Sequence, residues 1–304
     1  MALLIGSKGK RVKDLQSKLS KILNPAIAID GRFGPSTKRL VEQFQRNFGL
    51  AVDGVVGPKT QKKINGMYSM LFVTNNDLMT FGKERFVVFV DAGHGGVDDT
   101  GEYVTPGKRA WHDSELMHRD GWYFEGYENR IVAEMLIDVL TKNDINSIRL
   151  YHPVKDTPLS DRVDIVTSYL KRGYKGILIS FHSNAISSKN TAMKLEITQG
   201  YSVWTSLDNT KSDEIATKHF LNVCNHFGEK WKYRDDRDDG DPDYEANFYM
   251  LRKTDLVQYQ HKFGAILEEF GFHTSKKDAE FIVSHREDRV KCALKTIMEC
   301  QKKF

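Results

Sequence analysis

Cysteine is scarce in this chain of 304 residues. The three present, Cys224, Cys292 and Cys300, are odd in number, fall in the C-terminal third and include no Cys-x-x-Cys pair. That excludes a disulfide framework and a thiolate zinc site, and leaves packed, reduced thiols. Long apolar runs are missing too. No stretch is long enough to span a bilayer, and the opening Met-Ala-Leu-Leu-Ile-Gly-Ser-Lys has too short an apolar run and no basic lead to be a signal peptide. The expectation is a soluble chain made in the cytoplasm, with no signal peptide and no membrane span. The Asp-rich run Arg234–Asp243 reads as a polar loop; a calcium site is the alternative, although its spacing does not match a known calcium loop. The length favours two domains over one.

What is present centres on Phe86-Val87-Val88-Phe89-Val90-Asp91-Ala92-Gly93-His94-Gly95-Gly96. Five apolar, β-favouring residues in a row predict a strand buried on both faces, and the change to Ala-Gly-His-Gly-Gly predicts a tight loop at its end. His94 alone is equally well a loop histidine in a glycine turn. Two further runs have the same form. Gly176-Ile177-Leu178-Ile179-Ser180-Phe181-His182 ends in a histidine, and Gly264-Ala265-Ile266-Leu267-Glu268-Glu269 ends in carboxylates. Three buried strands thus bring His, His and Glu to one sheet edge, where ligands bind in open parallel sheets. Two histidines with carboxylates fit a catalytic zinc centre that keeps one position open for water. The other eight histidines, including His112, His118, His152 and His273, lack this context and read as solvated or core residues.

Charge is uneven. Up to Met67 the chain carries 13 Lys and Arg against 4 Asp and Glu. A solvated helical face accounts for this most simply; an anionic partner, nucleic acid or a wall polymer, is the alternative. The same region contains a repeat. Asp30-Gly31-Arg32-Phe33-Gly34-Pro35-Ser36-Thr37 returns as Asp53-Gly54-Val55-Val56-Gly57-Pro58-Lys59-Thr60. Each copy predicts a turn and a helix start, with Pro in the first helical turn and Ser or Thr in capping range. Val12, Leu15, Leu19 and Ile22, then Leu40, Val41, Phe44 and Phe48, lie at helical spacing. The expectation is a small all-α domain of three helices. With Phe44-Gln45 between the copies, residues 3–65 resemble the peptidoglycan-binding domain found at the ends of many wall hydrolases. The resemblance implies a wall-anchoring module and a peptidoglycan partner rather than nucleic acid.

From Phe86 on, strand-like and helix-like patterns alternate, which predicts an α/β domain with a mainly parallel sheet and flanking helices. Helices are expected over about 127–142, after a Ser160 cap, over about 212–231 and at the C-terminus. Strands are expected at Ser147–Tyr151, near Phe248–Arg252, and in a hairpin of Met193–Ile197 with Tyr201–Thr205. The expected division is 1–66 for the helical domain, 67–84 for an apolar junction and 85–304 for the α/β domain.

Several pieces of the second domain stand out: Asp91-Ala92-Gly93-His94-Gly95-Gly96, Leu159-Ser160-Asp161-Arg162, Ile179-Ser180-Phe181-His182-Ser183-Asn184-Ala185, Leu251-Arg252, and Leu267-Glu268-Glu269-Phe270-Gly271-Phe272 followed by Ser275 and Asp278. In order and context they resemble the zinc-dependent N-acetylmuramoyl-L-alanine amidases of type 3, over roughly residues 86–300. The resemblance implies a Zn2+ cofactor with His94 and His182 as ligands. The family's third ligand is a glutamate at the start of the first helix, four residues before an Asn. Glu125 has that spacing to Asn129 and is preferred; Glu128 is the fallback, otherwise a first-turn carboxylate favoured by the helix dipole. The glutamate two before Gly-Phe falls on Glu269, the implied general base. Glu268 points to the other side if the strand continues that far.

The implied reaction is hydrolysis of the amide between N-acetylmuramic acid and L-alanine of the stem peptide. A zinc peptidase acting within the stem peptide and a non-catalytic wall-binding phage structural protein are the alternatives. Between His94 and Glu125 lies a long segment with Lys108, Arg109 and Trp111, which could hold a peptide carboxylate and stack on sugar, or serve as an ordered surface loop. Asn184 and Arg252, from the matching pieces, complete the candidate substrate contacts. A monomeric, phage endolysin-like enzyme acting at the bacterial wall is the resulting expectation.

Overall fold

The computed structural model describes residues 2–23, 27–48, 50–71, 86–98, 100–186, 198–207, 210–238 and 240–304. The chain divides into two compact units, one of Met1–Gly82 with Gly95–Val104 and Pro153–Lys155, the other of Lys83–His94, Thr105–His152 and Asp156–Phe304. The two short segments that follow the first and fourth strands group with the N-terminal unit, so the division by sequence position alone is too simple.

The first unit is built on α1 (Lys10–Leu23), α2 (Pro35–Asn47) and α3 (Pro58–Leu71). α3 runs on into the stretch expected to be junction. Val12, Leu15, Leu19, Leu40, Val41, Phe44 and Ile64 are buried, as their helical spacing predicts. The repeat is held by two glutamines in equivalent roles. Gln16 Nε2 donates to Asp30 Oδ1 and to the Arg32 carbonyl, while Gly31 N–H donates to Gln16 Oε1. Gln45 Nε2 donates to Asp53 Oδ1 and to the Val55 carbonyl, and Gly54 N–H donates to Gln45 Oε1. Gly31 and Gly54 have φ of +76° and +67°, where a side chain would be strained. The hydroxyls expected to cap do not. α2 starts from Gly34 with Pro35 in its first turn and no side-chain cap, and Thr37 Oγ1 instead accepts from Gln16.

The second unit contains β1 (Phe86–Ala92), a two-stranded ribbon of β2 (Arg109–Trp111) and β3 (Trp122–Phe124), α4 (Glu125–Lys142), β4 (Ser147–Arg149), α5 (Leu159–Lys171), β5 (Lys175–Asn184), β6 (Tyr201–Thr205), α6 (Lys211–Phe227), β7 (Tyr244–Glu245), α7 (Tyr249–Thr254), β8 (Phe263–Phe272), α8 (Lys276–Ser284) and α9 (Arg286–Gln301). Six strands form one sheet in the order β4-β1-β5-β8-β6-β7. β4, β1, β5 and β8 are parallel; β6 runs antiparallel to β8 and parallel to β7. The mixed α/β architecture with a mainly parallel sheet agrees with the sequence. Every residue of β1 is buried, as expected of a strand covered on both faces.

Two local expectations differ. Ser160 lies inside α5, whose N-cap is Pro158; its hydroxyl donates to Asp161 Oδ1 instead. Residues 248–252 do not form a strand. They enter α7, whose buried Met250, Leu251 and Thr254 follow helical spacing, and so short an apolar run has no period by which to choose. Tyr201–Thr205 is a strand as expected and pairs with β8; its expected hairpin partner, Met193–Ile197, lies outside the described residues.

Candidate metal centre

β1, β5 and β8 end on the same edge of the sheet, and the candidate residues gather there. Asp91 anchors the first loop. Its carboxylate accepts from Arg162 Nη1 at 2.8 Å and from Ser180 Oγ at 2.6 Å, and Arg162 also donates to the Ala92 carbonyl. Burial by itself would raise the Asp91 carboxyl, but Arg162 and Ser180 outweigh it and hold the group below its usual range. His94 follows with φ +63°, an uncommon left-handed conformation for a non-glycine residue and one that clusters at functional loops. Gly93 precedes it because nothing larger fits: a Cβ there would lie 2.0 Å from His182 Cε1.

His182 sits near the end of β5, and Glu125 opens α4. The α4 start is fixed by the ribbon, since Glu125 N–H donates to the Lys108 carbonyl. Glu125 is 1% exposed and its Oε1 stands 3.3 Å from His94 Nε2 and 3.1 Å from His182 Nδ1. The two imidazoles are edge-on at 87°. One donor atom from each of the three residues lies within 4.8 Å of the others. Zinc bonded tetrahedrally at about 2.0–2.1 Å sets neighbouring donors roughly 3.3 Å apart. The two measured spacings fit that requirement, as does the nitrogen and oxygen donor set. Glu125 Oε2 is buried without a hydrogen-bond partner among the described residues. Burial would raise this carboxyl, yet His182 and His94 hold it well below its usual range, charged and ready to ligate.

Glu269 pairs in register with His182 across β5 and β8. Its Oε2 is buried without a hydrogen-bond partner among the described residues. Burial first, and the nearby Glu125 charge second, push its carboxyl well above the usual range. Glu268 faces the other way, as strand alternation requires. It is fully buried between Arg289, 2.5 Å from its Oε1, and His219, 3.0 Å from its Oε2. Glu128 is likewise committed elsewhere. Arg286 and His118 bind it, and their pull, against burial, lowers it to about 2.

Behind Glu125 lies a layer that the sequence did not single out. His273 is a core histidine, 2% exposed, with Nδ1 3.9 Å from Glu125 Oε2 and 2.9 Å from the Ser183 carbonyl. Its ring stacks on Tyr123 at 5.5 Å, and Tyr123 Oη meets Ser183 Oγ at 3.1 Å. The only signal for His273 was its place one residue after the last strand.

The candidate substrate contacts divide. Lys108 is exposed, and its charge acts on Glu269. Arg109 lies over the Trp122 ring at 4.5 Å, and Trp111 is 57% exposed with Nε1 donating to the Asp120 carbonyl. Asn184 ends β5, but its Oδ1 accepts from the next residue's N–H. Arg252 is not brought to this edge. It is in α7, three residues before Asp255, whose Oδ2 accepts from Ser206, Thr210 and Ser212 at the far end of β6. The expectation of Arg252 as a substrate contact is therefore corrected by topology.

A mainly parallel sheet whose strand ends bring two histidines to the glutamate that opens α4 defines an α/β protein with a site able to hold a metal. Residues 88–297 match the family model described as N-acetylmuramoyl-L-alanine amidase, and the chain belongs to that family. Residues 8–64 match a peptidoglycan-binding domain. Among solved structures, an N-acetylmuramoyl-L-alanine amidase from Clostridium difficile 630 is similar at 23% identity and a TM-score of 0.51, over 71% of this chain and 97% of that one. The amidase AmiC2 of Nostoc punctiforme is similar at 17% identity and a TM-score of 0.53, over 73% and 99%. At these identities the likeness shows the fold alone. No curated protein matches the chain. No helix among the described residues is long and apolar enough to cross a membrane.

Proposed function

We propose that the protein hydrolyses the amide between the lactyl group of N-acetylmuramic acid and L-alanine, with zinc held by His94, Glu125 and His182. The convergence of these three donors, with Glu269 in register beside His182 on the next strand, carries the proposal. Bound there, zinc supplies a Lewis acid and lowers the pKa of water toward about 7. Glu269 handles the proton. With its carboxyl raised by burial and by Glu125, it takes a proton from the attacking water and gives it to the leaving amine nitrogen as the C–N bond breaks. No Ser or Cys nucleophile is needed. Lys108 and the exposed Trp111 hold a peptide carboxylate and a sugar face, and the N-terminal helical unit keeps the enzyme on the wall.

The test is purified protein on peptidoglycan, with and without a chelator, alongside Glu269→Ala, with products read by mass spectrometry. Stem peptides beginning at L-alanine are expected, and both chelation and substitution should abolish them. Cleavage inside the stem peptide would assign a peptidase instead. New reducing sugar ends without new N-terminal alanine would overturn the proposal.

A further inference from the structure

The opposite end of the sheet carries a second set of metal-ligating groups. β6 ends there at Thr205, which pairs with Glu245 of β7. The chain entering β7, Asp241-Pro242-Asp243-Tyr244-Glu245, places a carboxylate at every second residue. One oxygen each from Asp241, Asp243 and Glu245 lies within 4.8 Å of the others.

Acidic clusters on surfaces are common, but this one has a buried member. Asp243 is 0% exposed. Its Oδ2 accepts from Thr205 Oγ1 at 2.7 Å, while its buried Oδ1 meets no donor among the described residues. A buried carboxylate oxygen without a partner carries a large desolvation cost. Asp241 and Asp213 lie close enough to act on this buried group electrostatically. Asp213 Oδ1 is itself buried and meets no donor among the described residues. Several acids facing one another around an orphaned oxygen are what a bound cation resolves.

We propose that Asp241, Asp243 and Glu245 form a second metal site, distinct from the histidine centre, that takes a hard divalent cation of the calcium type and fastens β7 to the sheet edge. An all-oxygen donor set selects calcium or magnesium over zinc, and calcium tolerates irregular carboxylate geometry. A surface pocket lined by Thr210, Lys211, Asp213, Asp241 and Gln260 gives a hydrated ion its way in. Lys211 does not fill the role of counter-ion, since it pairs with Glu214 at 2.8 Å. The loop spacing that argued against calcium concerns a different architecture: here the ligands come from alternate positions of a chain entering an edge strand.

Trp204 stacks on Tyr244 with centroids 4.7 Å apart, so the site has its own antenna for terbium, a luminescent stand-in for calcium. Terbium chloride is titrated into the full-length, zinc-loaded protein. Saturable sensitised emission is expected, displaced by calcium chloride, lost in Asp243→Asn and weakened at least tenfold in Asp241→Asn. It should persist in His94→Ala, which separates it from the histidine centre. Thermal unfolding supplies a second readout. Calcium should raise the Tm of the wild type but not of Asp243→Asn, whereas in chelator Asp243→Asn should be at least as stable as the wild type. If Asp243→Asn does not fold, the half-buried Asp241→Asn decides. Emission that is absent, or unchanged in the variants, overturns the proposal, as does a wild-type Tm indifferent to calcium.

Discussion

Gly93 and His182 are in mutual contact across two strands, and a Cβ on Gly93 would lie 2.0 Å from His182 Cε1. No real side chain tolerates that distance, so either the imidazole swings away from Glu125 or β1 and β5 separate. The glycine thus fixes the angle at which a histidine is presented. Gly93→Ala is expected to reduce bound zinc and amidase turnover together, by roughly 10–100-fold, as for losses of metal-orienting groups. Zinc content by elemental analysis and peptide release, with circular dichroism as the check on folding, measure it. Full zinc occupancy in a folded Gly93→Ala protein would show that the ring accommodates the methyl.

Adjacent glutamates on β8 should behave in opposite ways. Glu269→Gln keeps the size of a side chain that has no hydrogen-bond partner at Oε2, and it removes only the ability to move a proton. Turnover should fall about 10²–10⁴-fold with zinc content unchanged. Glu268→Gln breaks a fully buried pair with Arg289 and a contact with His219. It should destabilise the protein by about 3 kcal/mol, because a buried guanidinium is left without its anion. Denaturant titration and steady-state kinetics on both variants separate the two roles.

The site was legible where chemistry coincides with a local pattern. His94 and His182 stand at the ends of buried strands, which read as unbroken apolar runs, and Glu125 opens a helix. Partnerships over long separations were not legible. Arg162 meets Asp91 across 71 residues of sequence, so Leu159-Ser160-Asp161-Arg162 stood out in the chain without its reason, which is to brace the loop before His94. Glu128 and Glu125 share one helical turn, and Arg286, 158 residues away, together with His118 takes Glu128. Arg252 failed for a topological reason: nothing local reveals that β6 runs antiparallel and returns the chain to the other end of the sheet. The pairing of β7 with β6, which brings Asp243 against Thr205, was hidden in the same way.

Glu128 should make the protein sensitive to acid. Its carboxyl lies at about 2 in the folded protein, against an ordinary 4.5, because Arg286 and His118 outweigh burial. A lowered folded value means that the unfolded chain binds the proton first as pH falls. The stabilisation is therefore complete above about pH 4.5 and lost between there and pH 2. The difference corresponds to about 3 kcal/mol at neutral pH. Urea titrations of chelator-treated protein between pH 7 and pH 2.5 should show this loss, and Glu128→Gln should be weaker at neutral pH with a flatter slope below pH 4.5. A variant that keeps the wild-type slope would place the acid sensitivity elsewhere.

The duplicated turn makes a prediction for the N-terminal unit. Gln45 is 1% exposed, and its amide holds Asp53, the Val55 carbonyl and Gly54 N–H at once. Removing it strands a buried N–H and a buried carbonyl and frees a turn whose glycine is left-handed. Each such group costs about 1–3 kcal/mol when left unsatisfied, which is a large share of the stability of so small a helical unit. Gln45→Ala should therefore lose amide protection across α1–α3 in hydrogen exchange and bind insoluble peptidoglycan at least tenfold more weakly, while His94, Glu125 and His182 keep their zinc. Gln16→Ala should do the same, because it plays the same part in the first copy. Protection and wall binding that survive in both variants would mean that the apolar stripes alone specify the turns, and that the two glutamines merely occupy them.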